Sequence, residues 1–205
     1  MRRKLLITGF EAFGGESINP SWEAVKALAD RIGEYDLVKM QIPTVFGEAA
    51  QRVMEEADRI QPDVILCIGQ ARGRSMVTPE VVAINLREAS IPDNAGNMPQ
   101  NEPVCAGGPN AYFATAEIRR MTEAVKRCGI PCGLSYSAGA YVCNDLFYTL
   151  LHRYDGTDIK IGFIHVPCLP EQAGDGIPSL PLADLVRALE AGIEASFHKA
   201  EKTVC

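Results

Sequence analysis

The chain has 205 residues, 47% of them hydrophobic and 22% charged, the proportions of one ordinary globular domain with enough apolar mass for a full core. A formal net charge of −6, with basic residues scattered apart from Arg2, Arg3 and Lys4, argues against a surface built to neutralise a nucleic-acid backbone. No apolar stretch is long enough to span a bilayer, the run after Lys4 is too short for a secretory signal, and seven cysteines without repeated close pairs point to reduced thiols in the cytoplasm, not to a disulfide framework.

In chain order, residues 4–8 read as a first strand. A helix over 21–31 follows, with Val25, Leu28, Ala29 and Ile32 on one stripe and Pro20 just ahead of it, where a missing N–H matters least. A strand at 37–42, a helix at 47–60 and strands at 64–68 and 81–86 come next. Residues 90–108 carry no periodicity and are rich in Pro, Gly and Asn; loops of that length in compact domains tend to be functional or mobile. A helix over 109–127, a strand at 133–137, a helix at 144–153, a strand at 160–166, a loop over 167–180 and a helix over 181–199 complete the chain. Apolar runs alternating with amphipathic stretches predict an α/β domain with a largely parallel sheet, and no linker divides it.

Three histidines are available as neutral-pH bases. His152 and His198 fall on predicted helices beside Arg153 and Lys199, as on solvated faces. His165 ends the apolar strand Ile161-Gly162-Phe163-Ile164, at the carboxyl edge where open α/β sheets gather functional groups; the same position suits a packed core histidine. Cys143 stands between a strand and a helix. The unpaired N–H groups of a first helical turn favour thiolate and can hold an oxyanion, although buried inert cysteines are the commoner case. A Cys–His pair benefits from a third group that fixes the imidazole. Glu80, opening the apolar run Val81-Val82-Ala83-Ile84, suits that role or that of a solvated strand residue. Cys128 and Cys132 have a metal-like spacing, but no second pair or His cluster accompanies them, and no metal site is expected.

Four blocks together resemble the type I pyroglutamyl peptidases, also called pyrrolidone carboxyl peptidases, over nearly the whole chain. They are Leu6-Ile7-Thr8-Gly9-Phe10-Glu11-Ala12-Phe13-Gly14-Gly15 with Asn19-Pro20-Ser21; Gly69-Gln70-Ala71 running to Thr78-Pro79-Glu80 and Ala83-Ile84-Asn85; the segment from Ser135 to Asn144; and Gly162-Phe163-Ile164-His165-Val166-Pro167. The resemblance implies that residues 1–205 form one catalytic domain, a three-layer α/β/α sandwich on a mixed, largely parallel sheet. It implies a cysteine peptidase that cleaves after an N-terminal pyroglutamyl (5-oxoproline) residue through Cys143, His165 and Glu80, with no metal or organic cofactor, commonly as a homotetramer. A neutral lactam ring asks for apolar walls and a few amide partners. Phe10, Phe13, Tyr141 and Val142 are candidate walls, and Gln70 and Asn19 candidate partners, with core packing and helix capping as their alternatives.

Three positions depart from the family pattern. Arg72 stands where Gly is usual, Val81 where a basic residue follows the Glu, and Ser90 where an Arg helps at the oxyanion; Arg72 or Arg74 is the available substitute donor. These departures leave open a relative that binds pyroglutamyl ends without efficient turnover. The glycine turn after the first strand fits neither a dinucleotide fingerprint nor a P-loop, since Phe10 and Phe13 occupy it and no Gly-Lys-Ser/Thr follows.

Overall fold

The computed structural model describes residues 2–196; the end of the predicted 181–199 helix, with His198, and Cys205 lie outside them. The six-stranded main sheet has the order β2-β3-β1-β4-β8-β5. Its centre is parallel: β3 (Tyr35–Ile42), β1 (Arg3–Phe10), β4 (Val64–Gln70) and β8 (Lys160–Val166). The short edge strands β2 (Arg31–Ile32) and β5 (Thr78–Pro79) are antiparallel to β3 and β8. A separate two-stranded sheet joins β6 (Val82–Ile84) to β7 (Ala111–Phe113).

Helices cover both faces, which is why the central strands are continuous apolar runs. Side chains alternate across a strand, so Leu5 and Ile7 pack with α1 (Pro20–Ala27), α3 (Ile118–Arg127) and α5 (Leu182–Ala195) through Val25, Met121 and Leu189. Leu6 and Ile65 pack instead with α2 (Glu48–Ile60) and α4 (Val142–Arg153) through Val53, Leu146 and Phe147. The expected three layers and mixed, largely parallel sheet are present in one domain. No helix among the described residues is long and apolar enough to cross a membrane.

Several predicted elements differ. The first helix stops at Ala27, because Leu28 is extended (φ −60°, ψ 153°) and the chain enters the β2–β3 hairpin. Lys39 fixes this exit by donating to the Leu28 carbonyl and, at 2.8 Å, to Asp30 Oδ1. Ile32 therefore lies in a strand and not on a helical stripe. Only the second half of 109–127 is helical. Before it, β7 forms, and residues 115 and 116 cap the outer edge of β8, where both backbone N–H groups donate to the Ile161 carbonyl at 3.0 Å. Covering an exposed strand edge in this way overrides local propensity. The 81–86 run contributes β6 to the small sheet, while 133–137 forms no strand. That segment runs beside β5 through isolated pairings such as Glu80 with Ser135, tied by Val81 N–H to the Ser135 carbonyl at 2.7 Å.

Because β1, β4 and β8 are parallel, Phe10, Gln70 and His165 emerge on one edge, with Gly69 directly beside His165 in the ladder. Close approach of α1 to β1 is possible because residue 9 is glycine. A Cβ there would lie 2.6 Å from Trp22 Cα and 2.7 Å from Trp22 N, backbone atoms that cannot rotate away. Gly9→Ala should therefore destabilise the domain by about 1–3 kcal/mol, read as a lower urea midpoint with unchanged slope; a wild-type midpoint would show that α1 moves at no cost.

Candidate active site

At the carboxyl edge of β8, His165 Nδ1 lies 2.7 Å from Glu80 Oε1, both side chains buried. The carboxylate accepts the Nδ1 proton, which leaves the Nε2 lone pair free to act as a base. Glu80 is delivered from the end of β5, the edge strand that pairs Thr78 with His165 and Pro79 with Ile164. Its backbone N–H donates to the Phe163 carbonyl at 2.8 Å. A residue that sequence could read as a strand opener is thus locked against β8 by main-chain bonds on both sides.

Cys143 is the second residue of α4. Gly69 links it to His165: a Cβ on Gly69 would fall 3.0 Å from Cys143 Sγ and 2.8 Å from Phe163 Cζ, and the Phe163 and His165 rings are 4.9 Å apart. Thiol and imidazole therefore flank the same glycine, and any side chain there would separate them from their present packing. Tyr141 caps α4 without a side-chain hydrogen bond, so no capping side chain stands between the first-turn N–H groups and an anion beside Cys143.

Two neighbours of Cys143 anchor that turn, and sequence reasoning gave them no role. Asn144 Oδ1 accepts the Ile84 N–H at 2.9 Å, while Nδ2 donates to the carbonyls of Ile84 at 2.8 Å and Leu86 at 3.0 Å. Asp145 accepts from Arg87 Nε at 2.6 Å and from Gly47 N–H at 2.8 Å. Both side chains are fully buried, so the carboxylate is held by charge and hydrogen bonding together. The only sequence signal was position, directly after the cysteine.

Arg74 is the other unforeseen partner. Its Nη1 donates to Glu80 Oε1 at 2.7 Å and to Thr78 Oγ1, and Nη2 reaches the Ser137 carbonyl at 3.0 Å. Arg72 instead pairs with Glu16 at 2.9 Å on the surface. Arg74 bonds the carboxylate, and Arg72 a surface glutamate, with Ser90 exposed. Val81 is buried, its N–H and carbonyl used by Ser135 and Ala114.

The electrostatics follow from these contacts. Burial pushes the Glu80 carboxyl up, but the hydrogen bond and charge of His165, with Ser135 and Arg74, outweigh it and hold it below the ordinary range. For His165, burial and the Arg74 charge outweigh Glu80, and the imidazole is lowered from 6.5. Burial, then the charges of Glu80 and Cys67, push the Cys143 thiol up to about 12 against the opposing pull of Arg74. Desolvation and a buried carboxylate thus work against the thiolate that the first-turn dipoles of a helix start favour.

Of the candidate pocket residues, Val142 and Phe10 are buried in the α2–α4 face of the core, with Phe10 6.4 Å from Phe163. Phe13 and Tyr141 are partly exposed and adjacent, ring centroids 6.3 Å apart, and Phe46 joins them edge-on at 5.2 Å from Tyr141. Tyr141 Oη donates to the Pro92 carbonyl at 3.0 Å, tying the 90–108 loop to this cluster. That loop is held at its start by Asp93, which accepts from Phe46, Ala95 and Asn97 N–H groups, and by Asn94, which donates to Glu11 and Ala12. Gln70 Nε2 contacts Cys168 Sγ at 3.3 Å, and Gln70 Oε1 is buried without a hydrogen-bond partner. Asn19 is fully engaged as the α1 cap: Oδ1 accepts from Ser21 N–H and Oγ, and Nδ2 donates to the Glu11 carbonyl. Its amide shapes the first loop. Among the described residues no group of three or more His, Cys, Asp and Glu side chains is gathered to hold a metal ion.

A family model described as pyroglutamyl peptidase matches residues 3–199. A pyrrolidone-carboxylate peptidase of Vibrio vulnificus is 50% identical over 190 residues, covering 92% of this chain and 90% of that protein. Another from Bacillus amyloliquefaciens is 47% identical over 204 residues, covering 97% and 95%. The crystal structure of pyroglutamyl peptidase I from Bacillus amyloliquefaciens superposes with a TM-score of 0.92 at 47% identity over 97% of each chain. A mutant pyrrolidone carboxyl peptidase from P. furiosus gives 0.90 at 37% identity, covering 96% of this chain and 99% of that one.

The cationic Arg74 disfavours a protonated His165, whereas Glu80 favours it. Arg74→Ala should therefore raise the pKa of His165 and Glu80→Gln should lower it further, each followed by proton NMR titration of the imidazole. Shifts of the same sign in both variants would contradict this balance.

Proposed function

The chain belongs to the pyroglutamyl peptidase family, and from that premise we propose that it hydrolyses the peptide bond after an N-terminal pyroglutamyl residue by way of Cys143, His165 and Glu80. The observation that carries the residue assignment is the buried 2.7 Å bond from Glu80 to His165 Nδ1, which turns Nε2 into a base on the edge where Cys143 opens α4. As the thiol attacks the pyroglutamyl carbonyl, its proton passes to Nε2 of His165. The developing oxyanion meets the N–H groups of the first turn of α4. His165 then returns the proton to the departing amine, and water, activated by the same nitrogen, cleaves the thioester. Glu80 stays ionised throughout, stabilising the imidazolium that forms transiently. A thiol that rests protonated gives up its proton only as the new bond forms.

Phe10, Phe13, Tyr141 and Val142 supply apolar walls for the lactam, and Phe46 extends them. Gln70 Oε1, an acceptor with no partner among the described residues, matches the lactam N–H. Asn19 holds the Glu11 carbonyl and α1 in place beside this pocket. The domain works without a metal or organic cofactor, and neither nucleic acid nor membrane is a partner. Six free thiols among the described residues fit a reducing, cytoplasmic compartment. Exposed Phe113 and Tyr136, flanking the small sheet, are apolar surface of the kind that packs against a second copy, in keeping with a homotetramer; light scattering at micromolar concentration should give four times the chain mass, and a monomer would refute the assembly.

Hydrolysis of a pyroglutamyl fluorogenic amide, with reductant and EDTA present, tests the activity. Cys143→Ala should abolish turnover and Glu80→Gln should lower kcat by about one to four powers of ten with KM changing less; full activity in the alanine variant would remove the mechanism. A prolyl amide, whose charged amine would be desolvated and which lacks the lactam carbonyl, should react more slowly by a factor worth several kcal/mol, on the order of 10²-fold or more. Equal kcat/KM for the two would refute the pocket assignment, and tight binding of the pyroglutamyl amide without cleavage would mark a non-catalytic binder.

A further inference from the structure

A second cysteine–imidazole pair lies at the opposite end of α4 from Cys143. His152, in the last turn, places Nε2 3.4 Å from Cys105 Sγ and Nδ1 2.8 Å from Tyr112 Oη. Tyr148, one turn earlier, stacks on the imidazole at 15° and 6.1 Å, and its own Oη is fixed by donation to the Pro109 carbonyl at 2.6 Å. The cysteine is held as firmly: Asn85 Oδ1 accepts its N–H and Asn85 Nδ2 donates to its carbonyl, both at 2.8 Å. A thiol, an imidazole and a phenol that orients the imidazole are thus assembled outside the site described above, sharing no side chain with it.

The tautomer follows from the phenol. Burial, then the charges of Asp155 and Cys105, push Tyr112 up, so it keeps its proton and donates it to Nδ1. Nε2 then carries the ring hydrogen and points it at Cys105 Sγ. Cys105 is also partly exposed, whereas Cys67, Cys132 and Cys168 are buried. A thiol that has an imidazole donor beside its sulfur and that small reagents can reach is placed for exchange.

We propose that Cys105 is a thiolation site that forms a mixed disulfide with low-molecular-weight disulfides of the glutathione class. The Cys105 thiolate attacks one sulfur of the reagent; the reagent's S–S bond breaks as the new one forms, and the other half leaves as a thiolate that takes up the proton Cys105 lost. Cys105 is oxidised to disulfide while one half of the reagent is reduced to thiol, and excess free thiol reverses the exchange.

The test uses the full-length Cys143→Ala protein, so that the proposed catalytic thiol does not compete, exposed to oxidised glutathione near neutral pH, quenched in acid and mapped by peptide mass spectrometry. Cys128 is the internal reference, since it is more exposed than Cys105 but carries no imidazole hydrogen bond among the described residues. Cys105 should gain the adduct about tenfold faster than Cys128. His152→Gln, with unchanged circular dichroism, should bring the two rates together. Tyr112→Phe, which keeps the ring and removes only the phenol, should slow Cys105 by a smaller factor and carries the test if the His152 variant fails to fold. A Cys105 rate within about twofold of Cys128, or one that neither substitution changes, would overturn the proposal and leave the cluster as packing.

Discussion

A buried carboxylate bonded to a buried imidazole is stable only if its charge is answered locally, and much of the site's architecture answers to the Glu80–His165 pair. An ionised carboxylate removed from water would rise in pKa and lose its charge without compensation. Here the compensation comes from Arg74, placed by the turn after β4, and from the imidazole itself. β5 leaves the sheet after two residues so that Glu80 can face His165 while its main chain stays tied to β8 and the 131–135 segment. The same guanidinium lowers both the Glu80 carboxyl and the His165 imidazole, adding to the larger effects of their mutual bond and of burial.

Cys143, the proposed nucleophile, is positioned by different means. Gly69 leaves room for Cys143 Sγ beside the β4–β8 ladder, and the two residues after the cysteine hold the helix start. Asn144 adds an amide to the β6 ladder, and Asp145 binds Arg87 and the amino end of α2. These anchors reach away from the reacting atoms into three separate segments, so the position of the thiol is fixed by tertiary contacts and not by α4 alone. The aromatic wall is similarly composite, with Phe13, Phe46 and Tyr141 converging from three loops and the 90–108 segment tied to them through Pro92.

The two ends of α4 set their thiols differently. At its start Cys143 is enclosed beside an ionised carboxylate and a buried thiol, which favours the protonated form. At its end Cys105 meets an imidazole whose far nitrogen is bonded to a phenol, at the surface. Helix polarity is opposite at the two ends, positive at the Cys143 start and negative at the His152 end; at Cys143 the neighbours within a few ångströms outweigh it, as expected where desolvation and direct charges exceed the dipole of a helical turn.

Much of this was legible in one dimension. Buried parallel strands are apolar runs, so β1, β4 and β8 appear in the sequence with their carboxyl edges, and His165 is marked by ending one of them. Cys143 and Glu80 are marked only as polar residues at the borders of apolar segments, and four sequence blocks resembling one family raise them from candidates to a set. What remained hidden has a common cause: it depends on which strand edge or carboxylate a residue meets across the fold. The conversion of residues 111–116 from predicted helix to strand and edge cover follows from unpaired groups on β8. The early end of α1 follows from the β2–β3 hairpin, and the capping role of Asn19 from its depth beneath the first loop. Arg74 looked interchangeable with Arg72 until the turn placed one on Glu80 and the other on Glu16. Sequence by itself determined the order of strands and helices and the residue types able to do the chemistry, because burial periodicity and chemical identity are local properties. Only the tertiary structure decided which charges meet and hence which protonation states hold, because those depend on distances between residues far apart in the chain.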